Sequence, residues 1–172
     1  IRLLNSIKST YKNNQLKIKE CNQEILDLIH NNINDGVYKC GFSRNQSSYE
    51  KASKNLFAAL FEIENRMIQN KGNWVCGEEL TYADIYLFPT LIRWELIYSK
   101  LFKCTEQELS NFEKIIEWRL KFFNLSNVNR TCFDNEWKKD YYKALFPLNP
   151  NQLIPVLPSL DEIMRLESKK NT

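Results

Sequence analysis

The sequence predicts an all-α bundle built around one kinked central helix and finished by an extended C-terminal tail. Three observations carry this. Four glycines and five prolines in 172 residues leave little material for the tight turns of a β-protein. Apolar residues recur at spacings of three and four through most of the chain, and no alternating run finds a partner strand. Helix-start signals stand ahead of several of those apolar runs.

Taken in order, Ile1 to Tyr11 has helical spacing through Leu3, Leu4 and Ile7, and Lys12 to Lys19 is a polar loop. Cys21 to Asn34 places Ile25, Leu28, Ile29 and Ile33 on one helical face, with Gly36 as its left-handed stop. His30, the single histidine, lies beside that face and reads as a helix residue without a catalytic partner. Gly36 to Asn45 then reads as an irregular segment carrying Tyr38. Ser47 and Glu50 form a capping-box spacing that opens a long helix reaching Asn70, with Leu56, Phe57, Leu60, Ile63, Glu64 and Met67 toward the core. Lys71 to Glu79 is a loop holding Trp74.

The central helix is predicted over Thr81–Leu101, capped by Thr81 and Asp84. Ala83, Leu87, Leu91, Trp94 and Tyr98 form one buried stripe, and Ile85, Phe88, Ile92 and Leu96 add a second apolar face. A helix apolar nearly all round belongs in the middle of a bundle. Pro89 removes an amide and clashes with the carbonyl of Ile85, so a kink is predicted there. Arg93 reads as a partner for Glu95 or for a helix terminus.

Beyond a tight joint at Phe102-Lys103-Cys104, Thr105 and Glu108 repeat the capping-box spacing ahead of Leu109, Phe112, Ile116, Leu120 and Phe123. Asp134 is the predicted N-cap of a short helix with Trp137, Tyr141 and Leu145, stopped by Pro147. Asn149 to Pro158, with three prolines, is the extended tail. Ser159 and Glu162 cap a last short helix that frays over Lys169 to Thr172.

Composition narrows the function classes. Lysines lie scattered among acids at a net charge of +3, which gives no stripe for nucleic acid. No apolar run approaches the ~18 residues of a membrane helix, and no signal peptide is visible. The chain begins at Ile1 and reads as one domain, 1–172, excerpted from something longer. Five cysteines without a CxxC pair read as reduced thiols in a cytosolic protein, and one histidine gives no basis for a zinc site. The residues hold no Ser-His-Asp set, phosphate loop or metal cluster. Tyrosines at loops and helix ends are the more telling groups, because a half-buried phenol needs a polar partner.

The capped helix reading L-T-x-A-D-I, from Leu80 to Ile85, resembles the core helix of the C-terminal domain of cytosolic glutathione transferases. Its continuation through Leu87-Phe88, Thr90 to Arg93, Tyr98 and Phe102-Lys103-Cys104 resembles the glutathionyl-hydroquinone reductases, the Xi-class glutathione transferases. Asn34 to Lys39 with Gly41-Phe42 resembles their N-N-G-V-Y-K-A-G-F segment, with Asp35 and Cys40 as departures. Tyr141, Asn149-Pro150, Ile154 to Val156 and Pro158 resemble their C-terminal ending. The likeness runs from about Leu3 to Pro158.

The resemblance implies a glutathione transferase C-terminal-like bundle that binds quinone or hydroquinone conjugates, with glutathione as co-substrate and no metal. It implies a thioredoxin-like domain upstream, whose cysteine attacks the glutathione sulfur so that the hydroquinone leaves; a second glutathione clears the mixed disulfide. Two tyrosines of the helical domain hydrogen-bond the aromatic substrate, and they map onto Tyr38 and Tyr141, with Tyr142 open as the alternative to Tyr141. It further implies a cytoplasmic homodimer that engages neither nucleic acid nor membrane, and a fragment inactive by itself. Thr81 and Asp84 remain structural caps, and Cys104 reads as structural. The alternative is a non-catalytic protein-interaction module on the same helical fold.

Overall fold

The computed structural model describes residues 18–170, which form six helices among the described residues. The predicted helix 1–11 and most of the loop after it lie outside them, as do the last two residues of the predicted frayed end.

Helix α1 (23–41) starts under Asn22, whose side chain accepts from the amide of Glu24. It runs through Gln23–Leu28, a π-helical Ile29–Asn34 and Asp35–Gly41. It therefore passes through Gly36, where the sequence predicted a stop. The reason lies in packing: a Cβ on Gly36 would come within 3.3 Å of Leu56, so the glycine admits a neighbouring helix and terminates nothing. Tyr38 consequently stands on a helix and not in a loop.

That neighbour is α2 (Gln46–Asn70). Its cap is Asn45, which accepts from the amide of Ser48 at 2.9 Å; the predicted Ser47–Glu50 box falls inside the helix. Loop 71–81 is drawn in by backbone bonds between Trp74 and Gly77 and delivers Thr81 to the cap of α3.

Helix α3 (82–101) is the buried centre, as its all-round apolarity predicted. The Thr81–Asp84 capping box is present. Tyr82–Leu91 is α-helical, Trp94–Tyr98 is π-helical, and Ser99–Leu101 completes the run. The bend falls at Ile92 and Arg93, just past Pro89. Arginines take up the carbonyls that the bend releases: Arg93 donates to Pro89 O at 2.6 Å, and Arg119 to Leu91 O at 2.8 Å. The helix closes with Lys103 in the left-handed region at φ +58° and the amide of Cys104 bonded back to Tyr98 O.

Helix α4 (Glu113–Phe123) does not begin at a Thr105–Glu108 box. Thr105 donates to Lys103 O instead. The cap comes from α2: the buried carboxylate of Glu64 accepts from the amides of Lys114 and Ile115 at 2.8 and 2.9 Å. Two first-turn donors are thereby satisfied across 50 residues of sequence. Helix α5 (Asp134–Ala144) includes Asp134 in its first turn, where the carboxylate meets Lys138 and no side chain caps the amides. The tail 149–158 is extended, and α6 (Leu160–Lys170) opens with the predicted Ser159–Glu162 box.

The core lies between α1, α2, α3 and α4, where Phe88 stacks on Phe122 at 4.2 Å and Phe57 meets Trp94 edge-on. Removing such a ring typically costs about 3–5 kcal/mol. An ion cluster around a fully buried arginine staples the outer helix on: Arg119 of α4 binds Glu95 through two bonds of 2.8 and 2.9 Å and also pairs with Glu167 of α6. Glu95 is thus committed to Arg119, and Arg93 has the helix terminus alone of its two predicted partners. Among the described residues no helix is long and apolar enough to cross a membrane.

Candidate functional site

Three phenols converge at the bent end of α3. Tyr38 projects from the last turn of α1, Tyr98 from the π-helical part of α3, and Tyr141 from α5. The Tyr141 hydroxyl shares a 2.7 Å hydrogen bond with Tyr38 and a 3.0 Å bond with Tyr98. Phe102 is the hub beneath them, with its ring 5.1–6.0 Å from each of the three and edge-on. Gly41 makes this possible, because any side chain there would run into the Phe102 ring.

Local chemistry explains why the rings meet. The π-helical turn at Trp94–Tyr98 carries Tyr98 beneath α1, and the left-handed residue Lys103 behind it closes the helix just past Phe102. Tyr142, the neighbour of Tyr141, faces the other way: it is buried and donates to Leu96 O at 2.9 Å. Asn149 then bonds the carbonyl of Tyr142 at 2.6 Å, so the start of the tail holds α5 in place. Of the two tyrosines open in the sequence, Tyr141 is the one brought to Tyr38. The two hydroxyls touch each other directly, so no ligand atom fits between them; access is from the side of Tyr38, which is 38% exposed while Tyr98 is 2% exposed.

Burial raises both inner phenols. Tyr141 is pushed up to about 12 by desolvation and then by its bond to Tyr38, against smaller downward pulls from Tyr98 and the Arg93 charge. Tyr98 is pushed further above its ordinary value, first by burial and then by Tyr141. Both are neutral donors at pH 7. Three hydroxyls bring three protons to two hydrogen bonds, so one O–H stays uncommitted. Tyr98 is sealed from solvent and has the Tyr141 hydroxyl as its partner, Tyr141 bridges to Tyr38, and Tyr38 is the exposed end of the chain. Such a chain polarises each successive donor.

Arg93 stands nearby with its guanidinium 4.5 Å over the ring of Trp137, one turn before Tyr141 on α5. Asn34, one turn before Tyr38, accepts from Thr90 Oγ1 and donates to Tyr86 O, tying α1 to α3 under the site. Sequence reasoning placed Tyr98 among the core residues. Its one signal was a phenol standing in a stripe of Leu and Trp, where the hydroxyl needs a buried partner. Thr81 and Asp84 sit at the other end of α3 and take no part. Among the described residues no cluster of His, Cys, Asp or Glu is arranged to hold a metal ion.

Residues 46–125 match the family described as the glutathione S-transferase C-terminal domain. The bundle belongs to that family. The chain is 33% identical over 131 residues to the glutathionyl-hydroquinone reductase PcpF of Sphingobium chlorophenolicum, covering 76% of this chain and 41% of that protein. It is 30% identical over 150 residues to the glutathionyl-hydroquinone reductase YqjG of Escherichia coli, covering 86% and 44%. Among solved structures, glutathione transferase Xi 1 of Trametes versicolor superposes with a TM-score of 0.74 at 33% identity, over 79% of this chain and 47% of that one. The glutathione transferase C-terminal bundle predicted from the L-T-x-A-D-I helix is thus the fold observed. The chain spans less than half the length of these curated relatives.

Proposed function

We propose that this chain is the aromatic-substrate half of a glutathione-dependent reductase that releases hydroquinones from glutathionyl-hydroquinones. The single observation that carries the reading is the hydrogen-bonded chain Tyr98–Tyr141–Tyr38, which ends in an exposed phenol at an accessible edge. The nucleophile and the main glutathione site belong, in this reading, to a thioredoxin-like domain upstream of residue 1. Its thiolate attacks the glutathione sulfur, the bond from sulfur to the aromatic ring breaks, and negative charge develops on the leaving ring and its oxygens. Tyr38 donates to that oxygen, and Tyr141 and Tyr98 support it by donating in sequence. A neutral phenol held ready in a partly dry site stabilises such charge better than water, which must reorient. Glutathione enters as co-substrate, a second molecule clears the mixed disulfide, and the working unit is a cytoplasmic homodimer.

The test uses the full-length protein with a glutathionyl-hydroquinone as substrate. Tyr38→Phe removes one donor without leaving a void and should lower kcat/KM by about 10- to 1000-fold, spanning a modest hydrogen bond to a full oxyanion-type donor. Residues 1–172 alone should fold and show no turnover. Full activity in the Tyr38→Phe enzyme would defeat the assignment. A full-length protein without turnover on any such conjugate would instead favour an interaction module.

A further inference from the structure

The proposed chemistry leaves unused two thiols directly behind the tyrosine cluster. Cys40 lies in the last turn of α1, two residues past Tyr38, and Cys104 follows the joint that ends α3. Cys104 Sγ points at Val37 O, 4.0 Å away, and Val37 precedes Cys40 by one helical turn on the same strip of α1. The two thiols lie within interaction range of one another. Hydrogen bonding with Cys104 draws the Cys40 thiol below its ordinary pKa against burial and the Glu106 carboxylate. The same bond, then burial, pushes Cys104 up. The pair is therefore asymmetric, with one readier thiolate and one sulfur that keeps its proton.

Access is asymmetric too. Cys40 is 2% exposed but forms the floor of an open cleft of about 480 Å³. Arg44, Lys100 and Lys103 stand on its walls, and no carboxylate lines it. Cys104 is fully covered. The cleft borders Cys40 and does not border Cys104. Cationic surroundings at the edge of an open cleft mark a reactive cysteine more than a structural one. Phe102 separates this pair from the phenols, touching Tyr38 and Tyr98 edge-on.

We propose that Cys40 and Cys104 form a reversible dithiol that a hydroperoxide closes to a disulfide. The Cys40 thiolate attacks one peroxide oxygen, the O–O bond breaks, and the other oxygen leaves as alcohol or water. Cys40 is then a sulfenic acid. The Cys104 sulfur attacks the Cys40 sulfur, its proton leaves with the hydroxyl as water, and the S–S bond forms. Two thiols lose two electrons and the peroxide gains them; a thiol reductant reverses the change. Closure ties the end of α1 to the joint after α3 and so fixes the two elements that carry Tyr38 and Tyr98.

The sequence makes the test unambiguous, because trypsin puts each of the five cysteines in its own peptide. The 172-residue chain is treated with hydrogen peroxide and digested without reduction. The expected product is peptide 40–44 linked to peptide 104–114, with a loss of two hydrogens and a fall from five free thiols to three, reversed by dithiothreitol. Cys104→Ser should stop at a sulfenic acid on Cys40 that dimedone traps, and Cys40→Ala should leave Cys104 untouched. The surface pair Cys21 and Cys76 is the internal control, since these thiols also lie within interaction range. Peroxide that links only peptides 20–39 and 72–93, or leaves 40–44 and 104–114 unlinked, would overturn the proposal.

Discussion

The two ends of α3 each hold a buried polar cluster, and the clusters differ in one respect that separates structure from function. At the N-terminal end, the carboxylate of Asp84 is sealed. It accepts from the amides of Val75 and Thr81, the hydroxyl of Thr81 and the indole N–H of Trp118, all within 2.8–2.9 Å. Four donors meet one acceptor group, and nothing is left over. At the C-terminal end, three hydroxyls share two bonds, and the last of them, Tyr38, stands at the surface. A closed hydrogen-bond inventory holds a fold together, whereas an open one offers something to a ligand.

The comparison is broken most forcefully at the closed end. Asp84→Ala would strand the Val75 and Thr81 amides and the Trp118 indole in a dry interior. The expected loss is about 3–5 kcal/mol, well beyond an ordinary cap, because several buried donors are orphaned together. Urea unfolding of the chain measures it, and a loss under 1 kcal/mol would mean that the end is not sealed. Glu64→Gln comes next. Its amide keeps one acceptor for the first turn of α4 but presents N–H₂ to the second backbone donor, so about 1–3 kcal/mol should be lost by the same measurement.

The open end should barely register in stability. Tyr98→Phe keeps the ring against Phe102 and removes the innermost hydroxyl, so less than about 1 kcal/mol should change in unfolding. Its effect belongs to the relay, where it acts as a positioning residue. In the full-length protein kcat should fall while KM holds, and the alkaline limb of the rate profile should shift. The pH dependence of folding tests the same end with the sign fixed. Tyr141 keeps its proton in the folded chain up to about 12, whereas an unfolded tyrosine ionises near 10. The unfolded state therefore binds fewer protons in that window, and stability should fall as pH rises from about 10 to 12. Tyr141→Phe should flatten part of that slope.

Legibility in the sequence followed the same division. Contacts within a turn could be read directly: the Thr81–Asp84 and Ser159–Glu162 boxes are spacings of three, and the buried stripe of α3 is a period. Long-range satisfaction could not be read. Glu64 capping α4 and Glu95 drawn to Arg119 depend on which helices come together, whereas Asn45 and Ser47 are rival local caps two residues apart. Gly36 misled because a glycine that ends a helix and one that admits a neighbouring Leu look identical in one chain. At the candidate site, the resemblance of Asn34–Lys39 and Asn149–Pro158 to family motifs pointed to Tyr38 and Tyr141. Tyr98 stayed hidden as one more apolar position on α3.

The most direct measurement of the central claim is a double-mutant cycle on kcat/KM in the full-length protein, with Tyr38→Phe, Tyr141→Phe and the pair. If the phenols act as one relay ending at Tyr38, each single change should slow glutathionyl-hydroquinone reduction by about 10- to 1000-fold, and the double mutant should be little worse than the worse single. Fully additive losses, or singles indistinguishable from the parent, would contradict a shared donor chain at the open end of α3.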